Sequence, residues 1–160
     1  MNKVKNTDLE IKKATEGDIE EILVLQKLAY KSEAMIYDDF SIPPLHQTID
    51  EIQNEFQRRV FLKIEKEGRI IGSVRGHEEQ GTCYIGKLIV HPEEQNQGLG
   101  TRLMIAIEKK FGKAERYELF TGHRSERNLY LYRKLGYKEF KKEEMSLKLT
   151  LIYLEKKAQS

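Results

Sequence analysis

Apolar positions along the chain recur with two different periods, and the switches between them outline the elements. Leu9 to Lys13 alternate apolar and charged residues, as a half-buried strand does. Thr15-Glu-Gly-Asp18 then offers a helix cap, and Ile19, Ile22, Leu23, Gln26, Ala29 and Tyr30 follow at helical spacing. The periodicity breaks from Lys31 to His46, a segment with Pro43-Pro44 that predicts a loop. Thr48 to Arg58 predicts a second short helix. Val60, Leu62 and Ile64 alternate into a Glu67-Gly68 turn, Ile70 to Val74 begins the return strand of a hairpin, and Thr82 to Val90 forms another strand.

Leu99, Leu103, Ile107 and Phe111 mark one stripe of a helix that stops at Gly112. Tyr117 to Thr121 reads as a strand, Ser125 to Leu135 as a helix, and Tyr137 to Phe140 and Met145 to Tyr153 as closing strands. In the last of these, Met145, Leu147, Leu149, Leu151 and Tyr153 alternate cleanly, leaving a lysine-rich tail exposed. The order predicts an α/β fold with a mixed sheet. One domain is expected over residues 1–160, with 1–8 and 156–160 as loose tails. A chain of 160 residues can bury a core without disulfides or metals.

Composition narrows the function classes. The 28 basic and 26 acidic side chains leave a formal charge of +2, too balanced for a nucleic-acid surface. The single cysteine, Cys83, excludes an internal disulfide, fits a reducing compartment and reads as core packing. The amino terminus has no apolar run of signal-peptide type, and no segment approaches membrane-spanning length. A cytoplasmic protein with no membrane partner and no metal centre is expected.

The segment richest in chemistry is Lys87 to Leu103, KLIVHPEEQNQGLGTRL. It reads as an apolar strand, a proline-marked turn and a Gly-x-Gly pair at a helix start. A helix entered through glycines offers free N–H groups and a positive dipole end, so phosphate oxygens can approach closely. A Walker loop is excluded because no lysine precedes Thr101. A dinucleotide fingerprint is excluded because Leu103 stands where the third glycine belongs. Gln95-Asn96-Gln97-Gly98-Leu99-Gly100, introduced by Leu88-Ile89-Val90-His91-Pro92, closely resembles the acetyl-CoA pyrophosphate loop of the GNAT family of N-acetyltransferases. The stretch Ser125 to Tyr137, with Asn128, Tyr132 and Gly136-Tyr137, resembles that family's closing helix, and the two motifs stand in the family's order.

The resemblance implies a mostly antiparallel central sheet flanked by about four helices, with acetyl-CoA as the acetyl donor and CoA as product. It assigns cofactor contacts to Leu88, Ile89, Val90, Gln95, Asn96, Gln97, Gly98, Leu99, Gly100 and Thr101, and on the later helix to Ser125, Asn128 and Tyr132. Ser125, Asn128 and Tyr132 share one helix face, and both Ser125 and Asn128 are candidates for the family's cofactor-binding asparagine. Tyr132 is the implied catalytic acid that protonates the leaving thiolate. Tyr130, on another face, reads as packing or surface. No general base stands out among His77, Glu78, Glu79, Tyr84 and His123. The acceptor-side loop carries Glu33, Tyr37, Asp38, Asp39 and Phe40, a mixture suited to a small cationic amine. Tyr37, Asp38, Asp39, Glu79, Tyr84 and His123 are the substrate-binding candidates. Other readings are a protein or peptide amino group as acceptor, a non-catalytic acyl-CoA-binding sensor, and a nucleotide-phosphate binder. The alternating final segment is a candidate surface for a homodimer.

Overall fold

The computed structural model describes residues 8–158. Seven strands, β1 (Ile11–Lys13), β2 (Val60–Lys66), β3 (Arg69–Glu79), β4 (Thr82–Val90), β5 (Arg116–Gly122), β6 (Lys138–Glu144) and β7 (Thr150–Lys157), form one sheet. Its order is β1-β2-β3-β4-β5-β7-β6. Every neighbouring pair is antiparallel except β4 and β5, which are parallel. Five helices flank the sheet: α1 (Ile19–Tyr37), α2 (Pro43–His46), α3 (Ile49–Arg58), α4 (Leu99–Lys110) and α5 (Glu126–Lys134).

Two apolar layers hold the helices to opposite faces. Leu99, Leu103, Met104 and Ile107 of α4 and Leu129 of α5 pack on Ile64, Val74, Ile85 and Leu119. On the other face, Ile19, Ile22 and Leu23 of α1 and Ile52 of α3 cover Phe61, Ile70 and Ile89. Burial of these branched side chains, at roughly 25 cal/mol per Å² of apolar surface, is the main force fixing the helices to the sheet.

Two irregularities open the middle of the sheet. β4 and β5 pair only from Thr82↔Arg116 to Tyr84↔Glu118, so their later halves part. In β4 a bulge places both Lys87 and Leu88 opposite Val74, because Ser73 pairs with Ile89 but Arg75 pairs with Gly86. Lys87 takes a left-handed φ of 51° there, which twists the strand where it leaves β5.

Several elements differ from expectation. The segment 31–46 is not one loop, since α1 runs on to Tyr37 and Pro43 starts the short α2. Ala34 and Tyr37, 0% and 3% exposed, extend the buried helical stripe past the point where the polar residues obscure it. The final strand begins at Thr150, and Met145 and Leu147 lie exposed in the hairpin before it. Its buried residues are Ile152 and Leu154, the opposite phase from the expected set. Lys156 and Lys157 do not belong to a loose tail, for they pair with Tyr117 and Arg116. Lys156 Nζ also meets Glu108 Oε1 at 2.8 Å. Because β7 lies between β5 and β6, it has no free edge for a second copy; the edge is β6, with the highly charged sequence KEFKKEE. The expected tail 1–8 falls outside the described residues except at Asp8.

Candidate active site

A cavity of about 860 Å³ fills the opening beside β4. Its walls are the edge Leu88–Val90, the turn and first residues of α4, the start of α5, and Ala29, Tyr30, Glu33 and Ile36 of α1. Its size suits a ligand as large as a nucleotide conjugate.

One end is an anion cradle. Gly98, at φ 80°, caps α4, and a side chain there would force an L residue into the left-handed region. Leu99, Gly100 and Thr101 begin the helix, so their amides have no carbonyl one turn back. A Cβ on Gly100 would stand 3.3 Å from Leu131 Cδ2, a tight contact that the Leu131 side chain would have to relieve where α4 packs on α5. Asn96, at φ 63°, turns the chain into the cradle, and Arg127 donates to Gln95 Oε1 from the neighbouring helix.

The α5 wall is held by side-chain bonds. Ser125 opens α5 without a side-chain cap; its Oγ lies 2.7 Å from the Tyr37 hydroxyl and donates to Glu33 Oε2 at 2.6 Å. The Tyr37 hydroxyl also accepts from Arg124 N at 3.0 Å. Asn128 Nδ2 donates to Thr121 Oγ1 at 3.2 Å. Tyr132 is 6% exposed and belongs to the core layer behind the lining. Burial, then the fields of Tyr30 and Glu33, hold its phenol well above the ordinary range, so it is fully protonated at neutral pH.

The structure gathers Leu88, Ile89, Val90, Gln95, Asn96, Gly98, Leu99, Gly100, Thr101, Ser125 and Asn128 around one cavity. Gln97 and Tyr132 are not in its lining. The six acceptor-side candidates do not converge. Tyr37 is buried in its hydrogen bonds, Asp38 caps α1 with its side chain 94% exposed, and Asp39 bonds Ser41. His123 Nδ1 accepts from Thr150 N at 3.0 Å. Tyr84 stacks on His77 with ring centroids 5.3 Å apart, and Glu79 approaches His77 Nε2 at 3.6 Å, both away from the cavity lining. Cys83 is fully buried, and burial pushes its thiol up to about 12, so it is no nucleophile.

The sequence reading missed Tyr30, Leu131 and Lys134 in the lining, and placed Tyr130, which lines the cavity, with surface or packing residues. It also missed a buried polar cluster behind Tyr30. Arg75, 0% exposed, donates to Glu55 Oε2 at 2.9 Å and to Gln26 Oε1, and its guanidinium lies 4.5 Å from the Phe61 ring centroid. Gln47 Nε2 donates to Glu55 at 2.7 Å, and Gln26 Nε2 donates to Pro44 O at 2.9 Å. The cluster ties α1, the α2–α3 connection and α3 to β3.

With this geometry in place, the comparison with known families is decisive: residues 19–137 match the model of the acetyltransferase (GNAT) family. The chain belongs to that family. It is 29% identical over 119 residues to the UPF0157 protein YqkA of Bacillus subtilis (strain 168), covering 74% of this chain and 34% of YqkA. The chain thus spans about a third of the length of this relative. Among solved structures, the PaiA N-acetyltransferase of Thermoplasma acidophilum in complex with coenzyme A aligns with a TM-score of 0.77 at 18% identity, over 94% of this chain and 99% of that one. The ribosomal-protein-S18-alanine N-acetyltransferase of Escherichia coli aligns with a TM-score of 0.75 at 14% identity, over 95% of each chain. At these identities the alignments establish a shared fold. The mostly antiparallel sheet, parted between β4 and β5, houses the cavity.

Proposed function

We propose that the chain transfers the acetyl group of acetyl-CoA to the primary amine of a small molecule by direct attack. The observation that carries this reading is the continuity of one cavity from the Gly98–Thr101 cradle along the open edge of β4 to Tyr30 and Glu33. The amides of Leu99, Gly100 and Thr101 would receive the pyrophosphate, with Gln95, Asn96 and Gln97 closing the turn. The backbone of Leu88, Ile89 and Val90 would bond the pantetheine amides as an added strand does. Ser125 and Asn128 stand on the α5 side of the same path.

The amine nitrogen attacks the thioester carbon, the C–S bond breaks with its electron pair on sulfur, and the thiolate takes a proton; the family resemblance names Tyr132 as the donor, which from its place behind the cavity lining would have to turn its hydroxyl toward the sulfur. The phenolate then recovers a proton, and the amine surrenders one to solvent. The reaction needs the donor placed and the oxyanion stabilised, which rigid strand amides beside the bulge can do. Glu33, on the cavity wall, favours the approach of an ammonium group.

The test is thermal stabilisation by acetyl-CoA, CoA and ATP side by side, followed by detection of free thiol with a panel of amines. Selective stabilisation by acetyl-CoA and CoA, with amine-dependent thiol release, is the expected result. Binding without release would favour a sensor, and equal stabilisation by ATP a general phosphate binder. No helix among the described residues is long and apolar enough to cross a membrane.

A further inference from the structure

Glu33, Glu94 and Glu126 all line the cavity, and of these carboxylates only Glu33 is built into its wall. Glu94 belongs to the turn before the cradle and meets Lys66 Nζ at 3.3 Å. Glu126 stands exposed in the first turn of α5. Glu33 is half-buried on α1, one turn beyond Ala29 and Tyr30, which pack on the apolar layer that includes Ile89 of β4. A helical turn advances about 5 Å, so Glu33 is set close to the β4 edge along which the thioester would lie.

The bonds behind Glu33 have one direction. Arg124 N is a backbone donor, so the Tyr37 oxygen accepts from it at 3.0 Å. Ser125 has a single hydroxyl proton, which goes to Glu33 Oε2 at 2.6 Å, so at its 2.7 Å contact with Tyr37 it accepts. Three successive bonds therefore point the same way and end on Glu33, the member that only accepts. Tyr37 and Ser125 are 3% and 2% exposed, which keeps water from competing for these bonds. Among the described residues nothing donates to Oε1, the second oxygen of Glu33.

The fold gives something up for this arrangement. Ser125 precedes α5, where a serine hydroxyl ordinarily caps the first turn and contributes about 1 kcal/mol, yet it makes no capping bond. Its proton is committed to Glu33 instead. Gly122 leaves the room that the Tyr37 hydroxyl needs, since a Cβ there would collide with it.

We propose that Glu33 is a catalytic residue whose Oε1 receives the acceptor amine and takes the proton that the nitrogen sheds during acetyl transfer, with Ser125 and Tyr37 as positioning residues. This rests on the acetyltransferase reading and supplies its missing proton acceptor, because none of His77, Glu78, Glu79, Tyr84 and His123 lines the cavity.

An acceptor arriving as ammonium first loses one proton to solvent. The nitrogen lone pair then forms the C–N bond, and the carbonyl π pair moves to oxygen. The nitrogen is now positive, and its N–H is far more acidic than that of the free ammonium. That bond breaks toward Oε1 and leaves its electron pair on nitrogen. The C=O bond re-forms as the C–S bond breaks, sulfur is protonated, and Glu33 returns its proton to solvent. A general base held within hydrogen-bond reach of the nitrogen is worth about a hundredfold or more in rate.

The experiment uses the purified chain with acetyl-CoA and a panel of ethanolamine, benzylamine, 1,4-diaminobutane and glycinamide in a thiol-release assay. Glu33→Gln keeps an acceptor for the Ser125 hydroxyl. It should lower kcat for the best amine about a hundredfold, with Tm and the Kd for acetyl-CoA by calorimetry unchanged. Ser125→Ala should lower kcat about tenfold in the parent but by less than about twofold in the Glu33→Gln background, because it acts through Glu33.

A Glu33→Gln variant with the parent's kcat overturns the proposal, including the case where only KM for the amine rises, which would make Glu33 an ammonium anchor. Additive losses for Ser125→Ala and Glu33→Gln overturn the positioning role of Ser125. Acetyl-CoA binding without turnover of any amine overturns the catalytic role as well. Failure to bind acetyl-CoA refutes the acetyltransferase reading itself, so the two failures are distinguishable.

Discussion

The Tyr37 hydroxyl stands 2.7 Å from Ser125 Oγ and so fastens the end of α1 to the start of α5 across 88 residues. The contact exists because Gly122 leaves the space: a Cβ there would collide with the Tyr37 hydroxyl and approach Leu149 Cδ1 at 3.1 Å. Gly122→Ala should therefore destabilise the protein by about 1–3 kcal/mol through overpacking. It should also weaken acetyl-CoA binding, because Ser125 moves with Tyr37. Chemical denaturation and calorimetry on the same variant measure the two effects.

A second prediction concerns the cradle. Nothing lies within 4 Å of a Cβ placed on Gly98, so any cost of Gly98→Ala comes from its φ of 80° and not from crowding. Stability should fall by about 1 kcal/mol. If the cradle holds the pyrophosphate, the Kd for CoA should rise about tenfold while ATP binding stays negligible. Unchanged CoA affinity would remove the phosphate assignment from this turn.

These contacts mark what was legible in the sequence. Strong periodicity revealed β2 to β5, α4 and α5, and the Gly-x-Gly spacing located the cradle, because both depend on residues close in the chain. Ala34 and Tyr37 were hidden among polar neighbours, and their burial comes from contacts with distant segments. The final strand was misphased because Met145, Leu147 and Leu149 continue the alternation of Leu151 and Tyr153 through what is a hairpin. The partnership of Arg75 with Gln26, Gln47 and Glu55 joins four separate segments, so no local motif signals it. Charge alone drew attention to Asp38 and Asp39, yet backbone geometry turns them outward, while Lys87 gains its setting from a bulge that sequence does not disclose.

Tyr132 yields a prediction about pH. Burial, then Tyr30 and Glu33, raises its phenol above the ordinary value of 10.0, and a raised acid stays protonated through higher pH. The rate of acetyl transfer should therefore rise with pH as the amine deprotonates and show no falling limb below about pH 10. Tyr132→Phe should lower kcat by about a hundredfold with little change in the Kd for acetyl-CoA, the size expected for loss of a general acid. A descending limb near pH 8 that survives Tyr132→Phe would place the proton donor elsewhere.

Arg75 and Glu55 supply the last prediction, because neither is accommodated without the other. Burial tends to raise the Glu55 carboxyl, but Arg75, Gln47 and lesser contributions from Lys87 and Arg59 hold it below its ordinary value of 4.5. A carboxyl with a lowered folded-state pKa binds fewer protons in the folded chain than in the unfolded one. Its stabilisation is present above about pH 4.5 and is lost as pH falls through the lower folded value. Glu55→Gln should accordingly flatten the acid limb of stability below pH 4.5 relative to the parent. At pH 7, Arg75→Met alone should cost about 3–5 kcal/mol, since it leaves Glu55 buried without its main partner. The double variant Arg75→Met with Glu55→Gln should be less destabilised than Arg75→Met, because no unpaired charge remains. Additive losses in that cycle would mean that the two side chains contribute independently and that the ion pair does not organise the cluster.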